Sequence, residues 1–187
     1  MLAWAFASRF LLVTAYAFLT TFQAYYLLEH SGSAEADVPH QIYLGTLAQS
    51  SALVASALVT GRLSDRTGRR KVFVFLAAVV YGLAMLLIAD ADDVDGYLVG
   101  MALGGLGFEM YMAVDLALVV DVLPDPDHVA KDLGVLNIAG ALPFSLAPGI
   151  APAILDLSER SCGVLFAVAG ACAICGAAAI LPVRGVR

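Results

Sequence analysis

Six long runs of apolar residues, separated by short polar segments, dominate the pattern of the chain. Each run has about the 20 residues that an α-helix needs to cross the hydrocarbon of a bilayer, at a rise of about 1.5 Å per residue. The pattern therefore predicts an all-α membrane protein, with six transmembrane helices packed as one domain. The predicted spans cover about residues 10–28, 42–63, 72–89, 97–120, 133–155 and 163–182.

The composition agrees with a protein that is surrounded by lipid. Hydrophobic residues make up 61% of the 187 positions and charged residues only 14%, which is too few to coat a soluble globule of this size. The net charge of -6 is divided among separate polar segments, so it indicates neither a basic partner nor nucleic acid. The sequence contains no Ser-His-Asp constellation, phosphate-binding loop or zinc motif. We therefore expect no enzyme activity, no cofactor and no metal site.

The basic residues predict the orientation in the membrane. Of the ten Lys and Arg residues, only Arg160 falls in the segments on one side, and the other nine fall on the opposite side. Because cytoplasmic segments carry an excess of Lys and Arg, the side with nine is expected to be cytoplasmic. Both termini are therefore expected to lie in the cytoplasm. The protein is expected to be a multi-pass protein of the cell membrane, either the plasma membrane or an inner membrane. The nine are Arg9, Arg62, Arg66, Arg69, Arg70, Lys71, Lys131, Arg184 and Arg187.

One polar segment, residues 61–71, holds half of all the basic residues. Gly61 and Gly68 bracket Asp65 and Arg66, an arrangement that predicts a tight turn, and the cations must lie at a membrane surface. The segment could serve only as a topology determinant and headgroup anchor. That alternative accounts for the charges but not for Asp65 or for the spacing of the two glycines.

The spacing Gly-x-x-x-Asp-Arg-x-Gly-Arg-Arg-Lys resembles the loop signature of the major facilitator superfamily, a large group of secondary transporters. The resemblance implies half of a fold that is made of two six-helix bundles, each a 3+3 inverted repeat. Residues 113–124, 131–137 and 181–187 are similar to the carboxyl-terminal halves of bacterial sugar-cation symporter-like members.

The resemblance also implies a cytoplasmic gate. In the family pattern, Asp65 would cap the amino end of a helix in the second bundle, and Arg66 or Arg69 would pair with Asp121. The expected gate motif comprises Gly61, Asp65, Arg66, Gly68, Arg69, Arg70 and Asp121.

Polar side chains form stripes on the first two predicted helices. At about 100° per residue, the stripe on the first helix falls within about 60° and that on the second within about 80°. The stripes suit a wet cavity for a hydroxyl-rich solute, with Gln23 and Gln49 as candidate contacts. The alternative is hydrogen bonding between packed helices. The stripes are Tyr16, Thr20 and Gln23, and Thr46, Gln49, Ser56 and Thr60.

Two acids and one amide lie further along the chain, within the fourth and fifth spans. Glu109 and Asp115 are about 120° apart on the fourth helix, so they cannot form a carboxylate pair. Glu109 is a lone intramembrane acid and a candidate site for H⁺ or Na⁺, with a neutral Glu that donates one hydrogen bond as the alternative. Asp115 is expected to join the charge network near Arg62, and Asn137 is a polar candidate on the same side.

Together these features predict a secondary transporter that moves a small polar solute by alternating access, with a sugar-like solute and cation coupling as refinements. Six helices form only one bundle, and the family fold holds its cavity between two bundles. A second bundle is therefore expected, from another copy or a separate chain. The alternatives are a truncated fragment without transport and a six-helix membrane scaffold or assembly protein.

Overall fold

The structure is a computed structural model that describes residues 2–67, 70–122 and 129–182. These ranges form an all-helical protein without strands, as the apolar pattern predicts. The six helices are α1 (Leu2–Glu29), α2 (Val38–Thr67), α3 (Arg70–Asp90), α4 (Val94–Val122), α5 (Val129–Leu157) and α6 (Cys162–Ile180).

Five of the helices, α1 and α3 to α6, are long and apolar enough over their described residues to cross a membrane. In α2 the side chains at 57, 58, 61 and 63–65 lie outside the described part of the structure. Large apolar side chains remain exposed on the helix surfaces, Leu83 on α3 and Ile150 on α5 among them. Such surfaces suit lipid rather than water, which confirms a membrane protein.

The helices pack in a row with the order α2, α4, α3, α6, α1 and α5. Exchanging the first three helices with the last three turns this order into its own reverse. That symmetry is what a 3+3 inverted repeat requires. α1 and α4 occupy equivalent places in the two repeats, and they meet mainly through long side chains because their backbones come close at few positions.

Small residues allow α4 to approach its neighbours closely. A Cβ atom added at Gly107 would lie 2.6 Å from the backbone nitrogen of Tyr81 on α3, and one added at Gly105 would lie 2.4 Å from the carbonyl oxygen of Gln49 on α2. Both distances are too short for any side chain. The glycines therefore fix α4 between α2 and α3, as small residues commonly do between membrane helices.

The segment that resembles the family signature is more helical than expected. α2 continues through Thr67 and α3 begins at Arg70, so Gly61, Asp65 and Arg66 belong to a helix and not to a loop. A single glycine costs a helix only about 1 kcal/mol, and the neighbouring Arg and Leu residues favour helix. The predicted second span, about residues 42–63, therefore continues as helix beyond its expected end, and the expected tight turn is not formed at Asp65 and Arg66.

The expected gate remains a prediction, because much of it lies outside the described residues. Gly68 and Arg69 are not described, nor are the side chains at positions 61, 65 and 121. Arg66 is exposed and Arg70 half-buried. On the same side, the Lys71 ammonium donates a hydrogen bond to the carbonyl oxygen of Leu181, which ties the start of α3 to the end of α6.

Candidate functional site

A pair of opposite charges joins α1 to α4 inside the membrane-spanning part of the bundle. Arg9 Nε lies 3.6 Å from Asp115 Oδ2, and the two side chains are only 13% and 2% exposed. A charge in a membrane span is costly unless it meets a partner or water, so such pairs commonly mark solute or ion pathways. This pair is the strongest candidate for a functional site in the described residues.

The helix that contains Arg9 begins earlier than the predicted first span of about residues 10–28. α1 begins at Leu2, so Arg9 lies about two turns inside the helix. Among the described contacts, the cation that faces the Asp115 carboxylate is Arg9, and the charge network expected near Arg62 stays a prediction. The apolar residues before Arg9 lengthen α1 at its amino-terminal end. Their presence in the sequence could have revealed that Arg9 lies inside the helix.

The charge pair is incompletely hydrogen-bonded. At 3.6 Å the contact is too long for an N–H···O hydrogen bond, and among the described residues neither Arg9 Nε nor Asp115 Oδ1 has a hydrogen-bond partner. Buried groups of this kind are normally satisfied, and each exception calls for a reason. A site that accepts a further ligand provides one.

A cavity of about 530 Å³ opens beside Arg9, between α1, α4 and α5. Its volume is typical of sites for small molecules. A Cβ atom added at Gly140 would lie 3.8 Å from Arg9 Nε and 3.9 Å from one Nη, which are ordinary contact distances, so α5 passes close to the guanidinium. The lining residues are Arg9, Val13, Phe108, Met112, Asn137, Gly140, Ala141 and Phe144.

Stacked aromatic rings build one wall of the cavity. Tyr16 on α1 stacks on Phe108 with ring centroids 4.2 Å apart and planes 19° apart. Phe144 on α5 meets the same tyrosine edge to face at 6.1 Å. Such pairs are worth about 1 kcal/mol beyond the area they bury, so they fix the wall in one arrangement. The cavity thus combines an apolar aromatic wall with one cation and the Asn137 amide.

The structure brings together two of the five predicted solute or coupling residues. Asp115 belongs to the charge pair, and Asn137 lines the cavity from α5. Gln23 lies toward the other end of α1, where its Oε1 accepts a hydrogen bond of 3.1 Å from the Tyr97 hydroxyl. Gln49 lies where α2 crosses α4.

Glu109 takes up a third position, away from both of these contacts. It follows the cavity residue Phe108 on α4, about 100° further around the helix, and is half-buried. Its neighbourhood includes Tyr16. It therefore lies at the edge of the aromatic wall, and the described residues do not place it against Arg9.

The polar stripes serve partly as contacts between helices. The Ser56 hydroxyl on α2 donates to the carbonyl oxygen of Leu106 on α4 at 3.0 Å, and Gln23 bonds to Tyr97 as described above. The Thr20 hydroxyl donates within its own helix to the carbonyl oxygen of Tyr16 at 3.0 Å. For Ser56 and Gln23 the alternative of interhelical hydrogen bonding is therefore observed.

Comparison with protein families gives one match over nearly the whole chain. The model of the Major Facilitator Superfamily matches residues 5–186. The match includes all eight residues that line the cavity and both members of the charge pair. No protein of known structure matches the chain.

Individual relatives match over shorter stretches. The chain is 31% identical to the multidrug resistance protein MdtL of Klebsiella pneumoniae, over 63% of this chain and 28% of that protein. It is 29% identical to the uncharacterized MFS-type transporter YfiU of Bacillus subtilis, over 65% and 25% respectively. It is 36% identical to a probable 4-methylmuconolactone transporter of Cupriavidus pinatubonensis, over 60% and 26%. The aligned chain thus spans about a quarter of each of these relatives.

Proposed function

The chain belongs to the Major Facilitator Superfamily, and from that premise we propose that it forms half of a secondary transporter for a small polar solute. The solute crosses by alternating access, in which two bundles rock around a site near the middle of the membrane. The protein thus acts as a transporter and not as an enzyme, in the cell membrane and with both termini in the cytoplasm.

The buried charge pair beside the cavity is the observation that carries this proposal. A buried ion pair stabilises a helical scaffold as much as apolar packing does only when its hydrogen bonds are complete. A scaffold therefore gains little stability from an ion pair whose hydrogen bonds are incomplete. A transporter, in contrast, needs polar groups that lose and regain a partner as the solute enters and leaves. Arg9 and Asp115, at 3.6 Å and without full hydrogen bonding, are suited to that use.

The need for a second bundle is supported by the exposed surface around the cavity. The cavity lies between α1, α4 and α5, and within the described residues α5 packs mainly against α1. Three apolar side chains of α5, those of Ile138, Leu142 and Phe144, are exposed next to the cavity. A second six-helix bundle, from another copy or a separate chain, would close the site and supply the missing wall.

The finer proposals concern the solute and the coupling ion. Exposed Thr46 and half-buried Gln49 support a hydroxyl-rich, sugar-like solute, as the stripe on α2 suggests. Glu109, half-buried beside the aromatic wall, is the proposed site for a coupled proton or Na⁺. The relatives include a multidrug resistance protein and a probable 4-methylmuconolactone transporter. Solutes with both polar and apolar parts therefore belong in the same test.

Uptake into proteoliposomes tests the proposal, with the protein purified from native membranes together with any chain that crosslinks to it. The solute panel contains sugars, lactones and cationic dyes, each with and without an imposed H⁺ or Na⁺ gradient. Asn137→Ala should lower uptake about tenfold, which corresponds to about 1.4 kcal/mol for one lost polar contact. Ser145→Ala, on an exposed part of α5 outside the cavity, is the matched control.

A second variant separates coupling from transport. Glu109→Gln should abolish accumulation driven by the ion gradient and leave exchange down a solute gradient intact. Full accumulation by Glu109→Gln would eliminate the proposed coupling site. Uptake no greater than in empty liposomes for the whole panel, with the crosslinked partner present, would reject transport and favour the scaffold.

A further inference from the structure

Resting on the proposed function, we infer that the cavity beside Arg9 selects solutes in which a carboxylate is attached to a small apolar body. The inference narrows the solute from small and polar to a specific chemical class. It replaces the sugar-like refinement for this cavity, whose lining includes neither Thr46 nor Gln49. It depends on the donors that Arg9 leaves open, on the chemistry of the opposite wall and on the competing carboxylate of Asp115.

The guanidinium of Arg9 offers unused donors to the cavity. Asp115 approaches it from the Nε side, and neither Nη nitrogen makes a hydrogen bond within the described ranges 2–67, 70–122 and 129–182. The side chain nevertheless lines the cavity, with one Nη close to the backbone of Gly140. A guanidinium with a free edge matches the two oxygens of a carboxylate in a bidentate contact.

The rest of the lining favours an apolar body over a hydroxyl-rich one. Val13, Met112, Ala141 and the rings of Phe108 and Phe144 offer no hydrogen bonds, and the polar side chains are Arg9 and Asn137 alone. A sugar would leave several hydroxyls without partners on such walls, at about 1 to 3 kcal/mol each. A flat apolar ring, in contrast, would lie against Phe108 and Phe144 in the geometry that those rings already adopt with Tyr16.

Asp115 acts in this scheme as a competitor for Arg9. In the empty site its carboxylate compensates the buried cation, which would otherwise be costly in the membrane. An entering carboxylate makes the same interaction from the cavity side, with better hydrogen-bond geometry than the present 3.6 Å contact. Neutralising Asp115 should therefore strengthen anion binding, an effect that a purely structural ion pair does not predict.

Direct binding measurements test the inference without requiring transport. The protein in lipid nanodiscs is titrated calorimetrically with benzoate, with benzamide as its neutral isostere and with glucose as a hydroxyl-rich solute, against empty nanodiscs. Benzoate should bind at least about tenfold more tightly than benzamide, because a charged bidentate contact is worth about 1.5 to 3 kcal/mol. Glucose should not bind detectably.

Variants assign the preference to Arg9. Asp115→Asn should tighten benzoate binding several-fold and leave benzamide unchanged. The double variant Arg9→Gln with Asp115→Asn keeps the site neutral, so that folding is preserved, and should lose the preference for benzoate. Arg160→Gln is the matched control, since this arginine lines a separate cavity of about 440 Å³ near Asp156.

Equal binding of benzoate and benzamide, a preference that survives in the double variant, or no binding of any probe would each overturn the inference. The proposed function fails separately. If benzoate binds as expected and no solute enters proteoliposomes, the anion site stands and transport is rejected. If glucose is accumulated and benzoate does not bind, transport stands and the anion site is rejected.

Discussion

The contact between α1 and α4 has two polar ends, of which one is neutral and the other contains a charge pair. At one end Gln23 accepts a hydrogen bond from Tyr97, and Tyr26 donates one of 2.6 Å to the carbonyl oxygen of Ala91, in the connection that leads into α4. Both tyrosines are fully buried, and the ring of Tyr26 packs against Phe166 at 5.2 Å. At the other end the buried Tyr111 hydroxyl donates to the Ser8 hydroxyl at 3.4 Å. Beside this hydrogen bond, Arg9 and Asp115 face each other at 3.6 Å, without full hydrogen bonding, next to a cavity.

The difference indicates which end of the contact can open. The Tyr97 end is joined by neutral hydrogen bonds among buried rings and has no charge pair between the two helices, so we expect it to keep one arrangement. A charge pair with open donors can exchange one carboxylate for another. We therefore expect rearrangement during transport to be concentrated at the Arg9 end, while the Tyr97 end keeps its packing in the same bundle.

Arg9→Gln should have the largest effect on stability, because it leaves the Asp115 carboxylate buried without its cation. Removal of one partner of a buried pair costs about 3 to 5 kcal/mol. The free energy of unfolding, measured in mixed micelles with a denaturing detergent, should fall by about that amount.

The control for this prediction is the double variant Arg9→Gln with Asp115→Asn, which removes both charges. It should recover most of the lost stability, since a neutral pair of similar volume is commonly as stable as a buried ion pair. If the double variant is as unstable as Arg9→Gln alone, Arg9 stabilises the bundle by packing, and the contrast between the two ends disappears.

Gly105→Ala should have an intermediate effect on stability, and it should disturb both ends of the α1–α4 contact. The new Cβ would lie 2.4 Å from the carbonyl oxygen of Gln49, which is backbone and cannot rotate away. Overpacking of this kind costs about 1 to 3 kcal/mol and should push α4 away from α2. Disulfide crosslinking between cysteines at Ser50 and Leu106 would report the separation.

Gly149→Ala is the matched control for Gly105→Ala. A Cβ at Gly149 would meet no atom within 4 Å, so this change should be neutral or slightly stabilising through helix propensity. Equal stability of the two variants would show that α4 is not held closely by α2. In that case α4 could move relative to α2, and the two ends of the α1–α4 contact would not be held at a fixed distance from each other.

Much of the fold could be predicted from the sequence, because a bilayer requires long apolar helices and leaves few alternatives. The extent of each helix was less predictable: the amino-terminal extension of α1 changed Arg9 from a surface cation into a buried one. Asn137 and Asp115 were predicted as site candidates from their polarity within spans. Their common surroundings depend on which helices are neighbours, and that is a property of tertiary packing that no local pattern contains.

Polarity alone also could not separate cavity residues from packing residues. Gln23 and Asn137 are both amides inside apolar spans, yet Gln23 bonds to Tyr97 whereas Asn137 lines the cavity. The distinction arises from the partner on the facing helix. At the Gln23 end that partner is a tyrosine hydroxyl on α4, and at the Asn137 end it is open space.

Tyr97→Phe should have the smallest effect of the three and tests the fixed end directly. The change removes the hydroxyl that donates to Gln23 and keeps the ring, so the aromatic packing with Tyr26, at a centroid distance of 5.9 Å, is retained. Hydrogen bonds between membrane helices are worth about 0.6 kcal/mol on average, and the loss of unfolding free energy should be of that order. In a double-mutant cycle with Gln23→Leu, the coupling energy should be similarly small, and solute uptake should be unchanged because this end keeps its packing. A loss of uptake comparable to that of Asn137→Ala would place the Tyr97 end among the moving parts, and the assignment of a fixed and an opening end would have to be reversed.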